Sequence, residues 1–139
     1  IDNCEEELEE APDCCAKQLM DATELLFPDD SFDNVTFFYT LMYMTTEEQQ
    51  KSIREAARVL KAGKWMHIWD CDICSAYPEP FVIDLDVKSG TLKIHTAYGI
   101  VKRDAQSSDS IVHLLENAGL RIESLQEKDG QFHIQCRKG

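Results

Sequence analysis

The chain has 139 residues, 43% of them hydrophobic, and carries 14 Lys plus Arg against 26 Asp plus Glu for a formal charge of −12. That length and composition suit a single domain with its own core, and the charge repels phosphate backbones and anionic lipid surfaces, which argues against a nucleic-acid partner. No apolar run reaches the roughly 18 to 20 residues of a membrane span, and the opening IDNCEEELEEAPD is acidic where a secretory leader is basic and then apolar, so the expectation is a cytoplasmic protein with no membrane partner.

In chain order, EEELEEA (5–11) reads as a short acidic helix ended by Pro12, and CCAKQLM (14–20) as a short strand closed by Asp21. LLFPDDSFD supplies turn chemistry through Pro28, Asp29 and Asp30. NVTFFYTL is an almost unbroken apolar and aromatic run, the pattern of a strand buried on both faces and so of a central parallel strand. TTEEQQKSIREAARVLKAGK is the best-defined helix, with Thr45 as N-cap, Glu48 completing a capping box, Ile53, Ala56, Ala57 and Leu60 on one stripe, and Gly63 as its stop. KWMHIWD (64–70) returns as a second buried strand, and strand, helix and strand together are α/β grammar.

Beyond Pro78 and Pro80, FVIDLDV and TLKIHTA alternate with period two around Lys88-Ser89-Gly90, a hairpin over 81–98 with one wet face. SSDSIVHLLENAG is the next helix, capped by Ser107 or Ser108, with Ile111, Leu114, Leu115 and Ala118 inward and Gly119 as its stop. LRIESLQEKDGQFHIQCRK closes the chain as a second hairpin turning at Asp129-Gly130. The six cysteines have no disulfide spacing, and the CDIC at 71–74 has no second ligand pair, so reduced thiols and no metal site are expected.

The order DATELLFPDDSFDNVTFFYTLMYM, EEQQKSIREAARVLKAGKWMHIWD, LLENAGL and a terminal hairpin resembles the class I S-adenosylmethionine-dependent methyltransferases. It is most similar to the small-molecule branch with the pattern DA..LPF.D.SFD.V, and RVLKAGK stands where that family usually has RVLKPGG. The resemblance implies a doubly wound, Rossmann-like α/β methyltransferase sheet in one domain over 1–139, with the 81–98 hairpin as an insertion. The strands at 34–38, 64–70, 121–127 and 131–137 should then form a contiguous block, the last antiparallel to its neighbours. In the family a glycine-rich loop precedes the acid that holds the ribose. Asp2 stands where that acid belongs, so the sheet is expected to be truncated on the N-terminal side and the strand at 15–20 to be placed unusually.

The same resemblance implies S-adenosylmethionine as cofactor. Asp2 would accept from the ribose hydroxyls, Asp21 and Ala22 would meet the adenine, and Phe37, Phe38 and Tyr39 would line the methionine arm and the methyl group. Each has a plain structural alternative: solvation at the chain's start for Asp2, an Asx turn for Asp21, core packing for the aromatics. Tyr43, Asp70 and His95 fall near the site by chain position and read as structural. No catalytic base is assigned, because displacement at an activated methyl asks mainly for orientation and exclusion of water. The acceptor reads as a small molecule, with the 81–98 hairpin as the candidate for its selection. Two functions follow: methyl transfer by a protein of which this is the C-terminal two-thirds of the domain, or a catalytically inactive methyltransferase-like domain that serves in binding or assembly. The 139 residues alone are expected to bind the cofactor weakly or not at all and to be inactive, and the 34–38 edge is expected to favour a homodimer or strand swap.

Overall fold

Two parallel strands and the helix between them set the frame. The computed structural model describes residues 1–74 and 77–139. After a short acidic helix, α1 (Glu5–Glu10), strand β1 (Phe32–Phe38) leads through α2 (Thr46–Val59) into β2 (Leu60–Cys71), which pairs with β1 in parallel. A hairpin, β3 (Phe81–Ser89) and β4 (Leu92–Ile100), forms a separate two-stranded sheet. Helix α3 (Ser108–Asn117) then leads to β5 (Leu120–Lys128) and β6 (Gln131–Lys138), giving a main sheet ordered β1-β2-β6-β5. Strand β6 is antiparallel to both β2 and β5, so the block of four strands and the orientation of the last are as the resemblance implies.

Local chemistry accounts for most of these boundaries. Thr45 Oγ1 accepts from Glu48 N while the Glu48 carboxylate accepts from Thr45 N at 2.7 Å, a full capping box that starts α2. Ser107 and Ser110 make the equivalent reciprocal pair at α3. Asp129 and Gly130 both have positive φ, 53° and 74°, which is the twist a two-residue hairpin turn requires between β5 and β6. The apolar stripes of α2 (Ile53, Ala56, Ala57) and α3 (Ile111, Leu115) both pack on one face of the sheet, against Met66, Ile68, Ile134 and Cys136. Ile68 is fully buried there, so its truncation to alanine should cost about 2–5 kcal/mol. A second cluster, Met42, Cys71 and Ile73 with Ile83, Leu85 and Ile100, ties the β3–β4 hairpin to the end of β2.

Three expectations are corrected. The segment 14–20 is not a strand: Cys14 and Cys15 lie exposed in a turn, and the segment's ladder contact is one isolated parallel bridge between Leu19 and Asp2. A local apolar pattern cannot supply a pairing partner, and no neighbouring strand offers a longer ladder. Gly63 does not stop α2. The helix ends at Val59 because Leu60, fully buried, is drawn into the ladder opposite Phe32, and Lys138 Nζ caps the helix by donating to the Leu60 and Arg58 carbonyls at 2.6 and 3.3 Å. Gly63, at φ 71°, instead serves the bulge that separates the Phe32–Leu60 and Asn34–Trp65 pairings. Strand β1 is not central and not buried on both faces. It is an edge of the described sheet, with Phe37 buried on the helix-covered face and Phe38 53% exposed on the other.

That other face carries an aromatic layer. Trp69 stacks on His133 at a centroid distance of 4.1 Å, and His67 lies beside both, its Nδ1 3.3 Å from His133 Nε2. Among the described residues no helix is long and apolar enough to cross a membrane, and no three His, Cys, Asp or Glu side chains cluster as a metal ion would require. The six cysteines are free thiols.

Candidate functional site

The chain leaves β1 through Tyr39, whose φ of 48° is left-handed, a conformation that costs a non-glycine residue about 1–2 kcal/mol. It is held there by Tyr39 N donating to Trp69 O at 2.8 Å and by the phenol donating to Gln131 Oε1 at 2.7 Å. The turn sends Leu41–Tyr43 into a 3-10 turn and opens a cleft of about 590 Å³ alongside the carboxyl end of β1. Ligands of open α/β sheets bind at such strand ends.

The cleft is also lined by the chain's opening residues Ile1, Asp2 and Asn3 and by Met20, Asp21, Ala22, Thr23 and Leu25. The Asp2–Leu19 bridge joins them: Asp2 N donates to Gln18 O at 3.3 Å, and Met20 N donates to Asp2 O at 2.8 Å, which brings Asp2 beside Asp21. Asp2 Oδ1 accepts from Cys4 N at 2.9 Å. Asp21 Oδ1 accepts from Thr23 N at 2.7 Å, an Asx turn, and this bond holds its carboxyl below the ordinary aspartate range. Asp2, Asp21, Ala22, Phe37 and Phe38, distant in sequence, therefore all line one cleft.

With this geometry in view, residues 1–68 match a family described as the methyltransferase domain. No curated protein matches the chain. Among solved structures it is similar to an S-adenosylmethionine-dependent methyltransferase from Mesorhizobium loti, at 14% identity and TM-score 0.65 over 99% of this chain and 78% of that one. An S-adenosylmethionine-dependent methyltransferase from Clostridium acetobutylicum follows at 15% identity and TM-score 0.60, over 88% and 64%. So does the PH0226 protein from Pyrococcus horikoshii, at 15% identity and TM-score 0.61, over 87% and 61%. At these identities the structural likeness is one of fold, and the chain spans less than two-thirds of the last two proteins' length.

Residues 1–68 thus match the methyltransferase domain, and the chain has the Rossmann-like α/β fold of these methyltransferases.

In this fold the DATELLFPDD loop is tied to the end of α2, above all by Arg58. Arg58, in the last turn of α2, donates to Phe27 O and Leu25 O, both at 2.8 Å, and to Asp29 Oδ1 at 2.7 Å, while Glu55 orients it from one turn back and accepts from Leu25 N at 3.0 Å. An arginine in a helical pattern reads as solvated surface, so nothing in the sequence alone marks it as the pin of the loop that begins at Asp21.

The cleft has a further wall in the 81–98 hairpin, formed by Leu85 and Val87 of β3 with Thr96 and Tyr98 of β4, residues that the sequence did not single out. Tyr43 lines the cleft as well, and its phenol is raised above the usual tyrosine range, first by burial and then by the nearby Tyr98 and Glu7. His95 is elsewhere, on the outer face of the hairpin, with Nδ1 3.0 Å from Asp86 Oδ1. Asp70 does not line the cleft.

Asp70 instead belongs to a buried polar network beneath the 3-10 turn. Its Oδ1 accepts from Gln106 Nε2 at 2.8 Å and Cys71 N at 2.9 Å, and its Oδ2 accepts from Met42 N at 3.3 Å. Gln106 Oε1 in turn accepts from Gln49 Nε2 at 2.6 Å and Lys102 Nζ at 3.3 Å, and Lys102 also donates to the Met44 and Leu41 carbonyls. Burial raises the Asp70 carboxyl and lowers the Lys102 ammonium, each towards its neutral form, with the hydrogen bonds to Asp70 opposing. The network fixes the turn bearing Met42, Tyr43 and Met44, all three of which line the cleft. It is scaffold for the site.

Proposed function

We propose that the protein transfers a methyl group from S-adenosylmethionine to a small-molecule acceptor in this cleft. The observation that carries the reading is the convergence of Asp2, Asp21, Ala22, Phe37 and Phe38 on one wall-to-wall space of about 590 Å³, within the range of small-ligand sites.

The donor set suits the cofactor. Carboxylates at Asp2 and Asp21 are acceptors for ribose hydroxyls and the adenine amine, and the rings of Phe38, Tyr39 and Tyr43 attract a cationic sulfur through their π faces. When bound, S-adenosylmethionine supplies a methyl on positively charged sulfur, so the acceptor's lone pair forms the new bond to carbon while the carbon–sulfur pair stays with sulfur. The residues of this chain bind, orient and exclude water, and no general base is required of them. The hairpin β3–β4, which lines part of the cleft, selects the acceptor.

Calorimetric titration of the full-length protein with S-adenosylhomocysteine tests the reading. Micromolar binding supports it. No binding by folded full-length protein would overturn it.

A further inference from the structure

The hairpin wall has a chemical bias that goes beyond methyl transfer as such, and rests on that reading. Strand alternation puts Ile83, Leu85 and Val87 on the same hairpin face as Thr96, Tyr98 and Ile100. Near the hairpin's base Ile83, Leu85 and Ile100 are buried against Met42, Cys71 and Ile73, while Val87, Thr96 and Tyr98 line the cleft. The charged residues Asp84, Asp86, Lys88, Lys93 and His95 lie on the opposite face, where Asp86 stands across from His95, Lys88 from Lys93 and Asp84 from Ala97. The hairpin therefore gives the cleft an apolar and phenolic surface and no charge.

The remaining lining completes the bias. Among the described residues around the cleft are four carboxylates, Asp2, Glu7, Asp21 and Glu48, and no lysine, arginine or histidine side chain. Hydrogen bonds hold Asp21 and Glu48 below the ordinary carboxylate range, so both stay ionised at neutral pH. An acceptor carrying a carboxylate or phosphate would be desolvated beside like charges with no cationic side chain in the described lining to pair it. The overall charge of −12 extends that repulsion into solvent.

We propose that the methyl acceptor sits against Tyr43, Val87, Thr96 and Tyr98, and that it is a small molecule with an apolar body and no negative charge, either neutral or amine-bearing. The apolar body packs on Val87 and the tyrosine rings, and an amine is drawn in by the carboxylates that repel an anion. Selection is by charge as much as by shape.

The test uses full-length protein saturated with S-adenosylhomocysteine, whose own binding is measured first, so that failure of the methyl-transfer reading is seen separately. Ring and chain compounds are then titrated in matched sets, each offered as amine, neutral and carboxylate forms, for example tryptamine, 3-methylindole and indole-3-acetate. Amine or neutral members should bind about tenfold or more tightly than their carboxylate counterparts. Tyr98→Ala should weaken that binding and leave S-adenosylhomocysteine binding in place, and Thr96→Lys should narrow the gap between carboxylate and amine. Equal or tighter binding of the carboxylates, or no binding by any amine or neutral member, would overturn the proposal.

Discussion

Gln106 Nε2 lies 2.8 Å from Asp70 Oδ1, joining the segment ahead of α3 to the end of β2 through two side chains with almost no solvent exposure. The same amide also donates to Cys71 O at 2.8 Å and accepts from Gln49 and Lys102, so one residue satisfies groups from α2, β2 and the loop at 102. Gln106→Ala would remove one hydrogen bond each from Gln49 Nε2, which keeps Leu41 O, from Asp70 Oδ1, which keeps Cys71 N, and from Cys71 O. Buried bonds lost from groups that keep another partner cost about 0.5–1.5 kcal/mol each, so the network as a whole should lose about 1–3 kcal/mol. Chemical denaturation of the variant should show a loss in that range, whereas a change below about 0.5 kcal/mol would mean the network contributes nothing to stability.

Asp21 allows the binding role and the turn role to be separated. Asp21→Asn keeps an oxygen for Thr23 N, so the Asx turn survives, but it removes the carboxylate charge from the cleft. Affinity for S-adenosylhomocysteine should fall about tenfold, the equivalent of about 1.4 kcal/mol and typical of a charge-assisted hydrogen bond, with the melting temperature unchanged. An unaltered affinity would leave Asp21 only its turn.

Much of this fold is legible where chemistry is local. Thr45 with Glu48 writes the start of α2, Asp129-Gly130 writes the β5–β6 turn, and period-two alternation writes β3 and β4. What was not legible depends on partners remote in sequence. Phe38 carries the same apolar signature as Phe37, yet only one face of β1 meets a helix. Leu60 fits the α2 stripe but is claimed by Phe32 across the ladder, which shortens the helix and leaves Gly63 to a bulge. The site shows the same division. The resemblance marked Asp2, Asp21, Ala22, Phe37 and Phe38, which do share the cleft, while Arg58, Gln106 and the Tyr98 wall act through contacts 30 or more residues away that no spacing rule records.

Arg58 should matter to the cleft although it does not line it. Arg58→Ala removes the donors that hold the Leu25 and Phe27 carbonyls, freeing the loop that starts at Asp21. Binding of S-adenosylhomocysteine should weaken severalfold, and limited proteolysis should cut first within residues 22–30. Cleavage elsewhere at an unchanged rate would show that the loop is held by other means.

Acid should loosen the aromatic layer. His133 has its imidazole held below the ordinary histidine value, first by burial and then by the facing His67. A folded-state value below the unfolded one means the unfolded chain binds the proton more readily, so this contribution is complete above the ordinary imidazole range and disappears as pH falls through the lowered value. Between about pH 7.5 and about pH 5 the melting temperature of the wild-type chain should drop further than that of His133→Gln. Parallel curves would show that His133 titrates as it does in the unfolded chain.

The thiols offer a test of the packing itself. Cys71 and Cys136 are buried, and burial pushes each thiol up to about 12, the carboxylate of Asp70 adding to the effect at Cys71. Cys14, Cys15 and Cys74 are exposed. Because the thiolate is the reacting species and needs access, a disulfide reagent at neutral pH should modify Cys14, Cys15 and Cys74 rapidly and reach Cys71 and Cys136 only as the protein unfolds. The rate at Cys136 should therefore follow denaturant concentration as global unfolding does, since that side chain lies between β6 and β2 in the main core, its Sγ 3.6 Å from Met66 O. Mass spectrometry of the labelled peptides distinguishes the sites, and labelling of Cys136 as fast as Cys14 in native buffer would refute the placement of β6 against β2 on which the antiparallel end of the sheet depends.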